Sequence, residues 1–300
     1  MTTFARGFPF DMAAQLAIIN DRLPSLRMGS QGRFFIPRPK SIILKITRMK
    51  KSIAVLIGCA GMAILSTSTL SAPPEKEVLR LLDGQQGSDG LPLGWQPLTF
   101  PNISSHTQYS FIHEEGRPVI KAESHQSASG FYRPLNLNLH VYPILSWCWK
   151  VNHFLLKGDE TTKEGDDYTA RIYVTFRFDP DRATFWERTK YSAIKLFYGE
   201  YPPKRAMNYV WAGHAPVGKS FSNPYTDRAQ MIVVESGEAK VGQWVCEERN
   251  LYEDYNRSFG EEPSALSGVA VMTDTDNTGE AASASYADLV LHPKREEKNR

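Results

Sequence analysis

Two stretches have the residue types and spacing of ligand-binding loops. Gly213-His214-Ala215-Pro216-Val217-Gly218-Lys219-Ser220 matches the phosphate-loop pattern G-x-x-x-x-G-K-S in full and follows a strand-like run. The chemistry needs the Lys and Ser to open a helix whose amides cradle phosphate. Here Phe221-Ser222-Asn223-Pro224 follows, and the pre-proline restriction at Asn223 works against a helix. No nucleotide partner is expected. The second stretch, Asp274-Thr275-Asp276-Asn277-Thr278-Gly279, resembles the front half of a calcium loop, with Asp274, Asp276 and Thr278 as metal-ligand candidates. Its twelfth position would be Ser285, which cannot chelate bidentately. The favoured reading is therefore a turn in which Asp and Asn bond local amides and Gly279 takes positive φ. Calcium stays the alternative, and no other cofactor is indicated. The two carboxylates of the turn need amides, a cation or an Arg such as Arg249 to offset their repulsion.

No catalytic constellation emerges. Seven histidines are scattered, none at zinc-ligand spacing with another His or Cys, and no G-x-S-x-G occurs. Asp166-Asp167 and Glu247-Glu248 are adjacent acids; on a strand such neighbours point to opposite faces, so they read as solvated charges. A hydrolase using Asp166, Asp274 or Asp276 is the alternative, and it requires two carboxyls facing across a cleft. Aromatic residues with polar neighbours are the remaining lead: Arg171 and Tyr173 on one strand, Asn208 and Trp211 on another. Such a sheet face can bind sugars by stacking and hydrogen bonds, or can be ordinary cross-strand pairing.

The elements that would position these residues are mostly strands. Tyr168 to Phe178 alternates for eleven residues, with Ala170, Ile172, Val174 and Phe176 facing the core and Arg171, Tyr173 and Thr175 on a polar face. Leu145, Trp147, Trp149 and Val151 share a face of another strand. Further strands are expected at 109–113, 119–122, 129–133, 207–212, 230–234, 244–249 and 269–273, the last forming a closing hairpin with 286–291. Residues 75–82 and 183–198 read as helices, the second with Phe185, Trp186, Ile194, Leu196 and Phe197 as its apolar positions; 251–259 reads as a helical turn. The sum predicts an all-β fold, an antiparallel jelly-roll-like β-sandwich with one inserted helix.

The chain of 300 residues carries 35 basic and 33 acidic residues. Ten of the bases and two of the acids fall in residues 1–72, so the remainder has 25 and 31, a net of −6. A mildly acidic body excludes a nucleic-acid binder. Met49-Lys50-Lys51, the apolar run Ile53 to Leu65, and Ser71-Ala72 form a basic, an apolar and a cleavage region. Residues 1–48 are then an over-extended leader, 49–72 a signal peptide or membrane anchor, 73–292 one β-sandwich domain and 293–300 a charged tail. The expected location is outside the cytoplasm, periplasmic or secreted; Cys59 in Leu56-Ile57-Gly58-Cys59 also fits a lipid-anchor box. Cys148 and Cys246 are either a disulfide or two buried thiols.

Ser146-Trp147-Cys148-Trp149, Gly165-Asp166-Asp167-Tyr168, Arg171-Ile172-Tyr173, Asn208-Tyr209-Val210-Trp211, Asn223-Pro224-Tyr225, Glu248-Arg249-Asn250 and Thr273 to Gly279 together resemble an uncharacterised family of bacterial exported proteins known as a domain of unknown function. The resemblance runs from about Leu91 to Leu291 and implies no activity. Gly242-Gln243-Trp244 and Tyr286-Ala287-Asp288-Leu289-Val290 are more loosely similar to the end of carbohydrate-binding jelly rolls. With Asn223 and Arg249 from these motifs, the candidate ligand set is Arg171, Tyr173, Asn208, Trp211, Asn223 and Arg249. The expectation is a non-catalytic module for a glycan or other polar envelope ligand.

Overall fold

The structure is a computed structural model and describes residues 77–100, 103–198 and 201–294. The leader, the apolar run at 53–65, Cys59 and residues 295–300 lie outside these described residues. Among the described residues no helix is long and apolar enough to cross a membrane.

Among the described residues thirteen strands and two helices follow in order: β1 (Leu79–Arg80), β2 (Gln96–Leu98), β3 (Gln108–Glu114), β4 (Arg117–His125), β5 (Ala128–Leu137), β6 (Ile144–His153), β7 (Ala170–Phe176), α1 (Phe185–Tyr198), β8 (Arg205–Ala212), β9 (Ser220–Asn223), β10 (Thr226–Ser236), β11 (Val245–Asn250), α2 (Leu251–Phe259), β12 (Leu266–Asp274) and β13 (Ala281–His292). They form a jelly-roll-like β-sandwich. One sheet runs β11-β6-β13-β4-β3, with β1 added against β13; the other runs β2-β5-β12-β7-β8-β10-β9. Pairing is antiparallel throughout except for β8 with β10. Residues 77–82 are not the expected helix: Leu79 and Arg80 pair with Leu291 and Val290 of β13.

Alternation explains how the two sheets meet. Leu145, Trp147, Trp149 and Val151 of β6 all point inward, as their spacing requires. Trp147 packs on Tyr209 of β8 at 5.3 Å between ring centroids, and Trp149 on Trp211 at 6.0 Å. Each such side chain removed from water contributes about 2–3 kcal/mol. Helix α2 closes the core from one side with Leu251 and Tyr255, the latter 4.5 Å from Phe176. It begins at Asn250, whose side chain accepts the Glu253 amide at 3.2 Å, and ends at Gly260 in the left-handed region.

Three further expectations change. First, β12 and β13 do not form a hairpin: they sit in different sheets, and the 275–279 turn carries the chain across the sandwich. Residues 281–285 begin β13, which lies between β6 and β4. Second, β7 has no solvated face, since all seven of its residues are buried. Third, α1 turns Phe185, Trp186 and Leu196 outward; Tyr191 and Ile194 are its buried residues, Tyr191 stacking on Phe178 at 3.7 Å. Cys148 and Cys246 face each other in the β6–β11 register, Cα atoms 4.0 Å apart, and are bonded.

Candidate functional site

The predicted residues are distributed over three places. The first is an acid knot where the loop before β7 meets the end of β12. Met272 pairs with Arg171, so Asp274, two residues on, stands beside Arg171 on the same face. Arg171 Nε donates to Asp274 Oδ1 at 3.0 Å and its Nη2 donates to Oδ2. Both side chains are nearly sealed, 6 % and 2 % exposed. Burial pushes the Asp274 carboxyl well up, against the pull of Arg171. The Tyr168 ring lies under the guanidinium at 4.8 Å. Asp167 accepts the Asn277 and Thr278 amides at 3.3 and 2.6 Å. Asp166 is held by Asn223 Nδ2 at 3.1 Å, and burial raises it to about 6.

These contacts correct the sequence reading of the turn. The Asn277 and Thr278 amides are bound by Asp167 from another segment, while the Gly279 amide bonds the Thr275 carbonyl of the turn itself and the Asp276 carboxylate accepts from its own backbone. The offsetting cation is Arg171, not Arg249. Asp166 and Asp167 lie ahead of the strand, both are buried, and both join one cluster instead of being solvated. Gly279 does take positive φ, +69°, as the turn requires. Of the expected metal ligands, Asp274 and Asp276 come together with Asp167, which the sequence did not single out as a ligand, their oxygens within 4.8 Å of one another. Asp274 is taken up by Arg171 and Asp167 by two amides. Asp276, exposed, is left with its carboxylate toward Asp167, which raises it after burial does.

The second place is the outer face of the seven-stranded sheet. One rung crosses all seven strands: Gln96, Tyr132, Ala270, Tyr173, Asn208, Met231 and Phe221 are successive cross-strand partners. Tyr173 and Asn208 are therefore neighbours, as the sequence suggested, but Trp211 is not with them. It stands three residues beyond Asn208, on the opposite face, buried in the core with Nε1 donating to Gly237 O at 3.0 Å. Tyr132 lies so close over Gly268 that a Cβ there would meet its ring at 2.1–2.2 Å, which only glycine avoids. From Tyr132 to Met231 the rung is buried rather than an open platform, with Gln96 exposed and Phe221 partly buried at its ends, and the Asn208 amide has no hydrogen bond on either atom among the described residues.

The third place is a cleft of about 310 Å³ between β10, β11 and α2. Glu247 and Arg249 face it because they alternate along β11; Asp254 and Arg257 come from α2, and Ser220 from the start of β9. All four acceptor positions on Asp254 are used, by Arg249 Nε at 2.9 Å and Nη2 at 2.8 Å, Tyr209 Oη at 2.9 Å and Arg257 Nη1 at 3.3 Å. Glu247 has no hydrogen bond among the described residues. Burial and the neighbouring Glu235 push its carboxyl up to about 7, while Lys240 and Arg249 pull it down. Of the six predicted ligand residues only Arg249 lines this cleft. Glu247, Asp254 and Arg257 were missed, although Glu247 and Arg249 at i and i+2 on one strand carried the signal.

The phosphate-loop pattern does not open a helix. Gly213 to Lys219 form a loop, and Ser220 begins strand β9. The amide array that phosphate needs is not supplied by this backbone.

A sequence-family model described as "Protein of unknown function (DUF3047)" matches residues 93–290. No curated protein matches the sequence. Among solved structures, the family 11 carbohydrate-binding module from Clostridium thermocellum in complex with a β-1,3-1,4-mixed-linked tetrasaccharide covers 71 % of this chain and 94 % of its own, at 9 % identity and a TM-score of 0.36. The Trichoderma harzianum endoglucanase 3 from family GH12 covers 68 % and 100 %, at 7 % identity and a TM-score of 0.33. Likenesses this distant carry no function across.

Proposed function

The chain belongs to the DUF3047 family, and from that premise we propose that it is an exported cell-envelope protein that binds a glycan or similar polar ligand without transforming it. The observation that carries this reading is Glu247, a half-buried carboxyl without a hydrogen bond among the described residues, facing a cleft shared with Arg249, Arg257 and Ser220. A carboxylate beside guanidinium and hydroxyl groups suits neighbouring sugar hydroxyls, which donate to the first and accept from the others. A concave site with a few convergent polar groups and a perturbed acid is where a ligand is sought first. Binding is favoured over hydrolysis because Asp254, the other carboxylate of the cleft, has its acceptor positions used by Arg249, Arg257 and Tyr209 and offers no free nucleophile or base. In the acid knot Asp274 and Asp167 are likewise engaged. Export is supported by the basic Met49–Lys51 start with its apolar run, and by a bonded cysteine pair, which suits an oxidising compartment.

The test is a glycan array followed by titration calorimetry on the best binder. Glu247→Ala should abolish that binding and leave the melting temperature within a few degrees. An array without binders, or a binder held equally well by Glu247→Ala, overturns the reading. A fusion of residues 49–80 to a reporter active only outside the cytoplasm should be active.

A further inference from the structure

Helix α1 has two apolar faces, and the fold uses one. Its start is set by Thr184 and Glu187: the Glu187 amide donates to Thr184 Oγ1 at 3.3 Å, and the Glu187 carboxylate accepts the Thr184 amide at 2.9 Å. The only acid of the helix is thereby folded back onto its own first turn. At about 100° per residue, Tyr191 and Ile194 share one side and are buried. Phe185, Thr189, Ala193 and Leu196 fall on the opposite side, with Trp186 and Ser192 at its margins; the Thr189 hydroxyl donates back to the Phe185 carbonyl at 2.9 Å. Phe185, Trp186 and Leu196 are 74, 73 and 83 % exposed, and the Phe185 and Trp186 rings touch edge to face at 5.6 Å. Single exposed hydrophobics are ordinary; three this open on one face of a 14-residue helix form a patch.

The charges flanking the patch identify its partner. Arg188 and Lys195 border it on one side and Lys190 on the other. None of the three has a salt bridge among the described residues; Lys195 lies over the Tyr201 ring at 4.4 Å, and Arg188 reaches only the Ala183 carbonyl at 3.4 Å. Lys190 also lies in the field of Arg228 and Asp227. An exposed strip with two aromatic rings, bordered by three cations that have no salt bridge among the described residues, matches a surface that is apolar below and anionic above. We propose that the outer face of α1 docks this domain onto an anionic lipid surface, with Phe185, Trp186 and Leu196 entering the acyl boundary and Arg188, Lys190 and Lys195 meeting lipid phosphates. The helix lies in the plane of the interface and does not span it. A second copy of the chain is disfavoured, because it would set two cationic rims against each other.

The test uses the full chain with vesicles of equal phosphatidylglycerol and phosphatidylcholine, or of phosphatidylcholine alone. The apolar run at 53–65 can itself hold a chain to a vesicle, so the readout is local: quenching of Trp186 emission by brominated acyl chains, taken as the difference from Trp186→Phe. Quenching by the anionic vesicles is expected, with a weak signal on phosphatidylcholine. Arg188→Glu/Lys190→Glu/Lys195→Glu should weaken it by at least about 100-fold, since losing three cations alone costs about fivefold each. These positions are on the helix surface, and far-ultraviolet circular dichroism verifies that the variant is folded. Absent quenching on anionic vesicles, equal quenching in the charge-reversed variant, or a concentration-dependent shift of Trp186 emission without vesicles, which marks a second copy on the face, each overturns the proposal.

Discussion

Removing Arg171 should cost more than removing its partner Asp274, and the surroundings of the pair set the asymmetry. Asp166, Asp167 and Asp276 stand with Asp274 around this one guanidinium. In Asp274→Asn the guanidinium loses its closest counter-ion but keeps the field of Asp166 and the contact with its carbonyl at 3.5 Å. The expected loss is about 2 kcal/mol, below the roughly 3–5 kcal/mol for stranding a buried charge outright. In Arg171→Met the sealed carboxylate has no cation and must be protonated. Holding a carboxyl of ordinary pKa neutral at pH 7 takes about three units, roughly 4 kcal/mol. In a domain of this size that is a fall of about 10 °C in melting temperature. Replacing both residues with apolar ones, Arg171→Met/Asp274→Leu, should restore all but about 2 kcal/mol, since neither charge is then stranded. Urea unfolding followed by tryptophan emission measures all three. An Arg171→Met loss below about 1 kcal/mol, or one smaller than that of Asp274→Asn, refutes the reasoning.

Four further outcomes are expected. Millimolar calcium should leave the melting temperature unchanged, because Arg171 already serves as the cation of the knot; a rise that disappears in Asp276→Ala would show an ion there instead. Glu247 is raised in the folded state, so its ionisation destabilises the domain progressively as pH climbs from about 4.5 to about 7 and uniformly above; Glu247→Gln should gain about 1 kcal/mol at pH 8, discounted for partial exposure, and little at pH 4.5. Asn208→Leu should stabilise by about 1 kcal/mol, since it deletes a buried amide without partners, whereas a loss would reveal a bound water or ligand on that amide. Cys148→Ser/Cys246→Ser should lose about 2–5 kcal/mol, as a bridge across 98 residues constrains a long unfolded loop.

The sandwich was legible because inward and outward residues alternate where one face is apolar, as in Leu145 to Val151. The same rule misled on β7, whose Arg171, Tyr173 and Thr175 look solvent-facing but are buried too. Trp211 was grouped with Asn208 by polarity and aromaticity, although an odd spacing on a strand forces opposite faces. On α1 the expected apolar positions divide: Ile194 does face inward, but Phe185, Trp186 and Leu196 turn out, and the other buried residue is Tyr191, which the apolar pattern did not include. The acid knot was half legible. Asp274 and Asp276 advertise themselves, but Arg171 is 103 positions from Asp274 and Asp167 is 111 from Thr278. Nothing local in the chain encodes such pairings; they follow from which strands become neighbours.

That neighbour order has a consequence for how the chain is made. β13, which follows all the other described strands in the chain, occupies an interior position between β6 and β4. Until residues 281–292 emerge, both of those strands hold an unpaired backbone edge toward the gap, 10 and 9 residues long. The six-stranded sheet is therefore closed after translation of the domain is nearly complete, by insertion of a strand rather than by growth at a rim. A nascent or C-terminally truncated chain carries two sticky edges flanking Trp147 and Trp149, and its hazard is pairing with another unfinished chain.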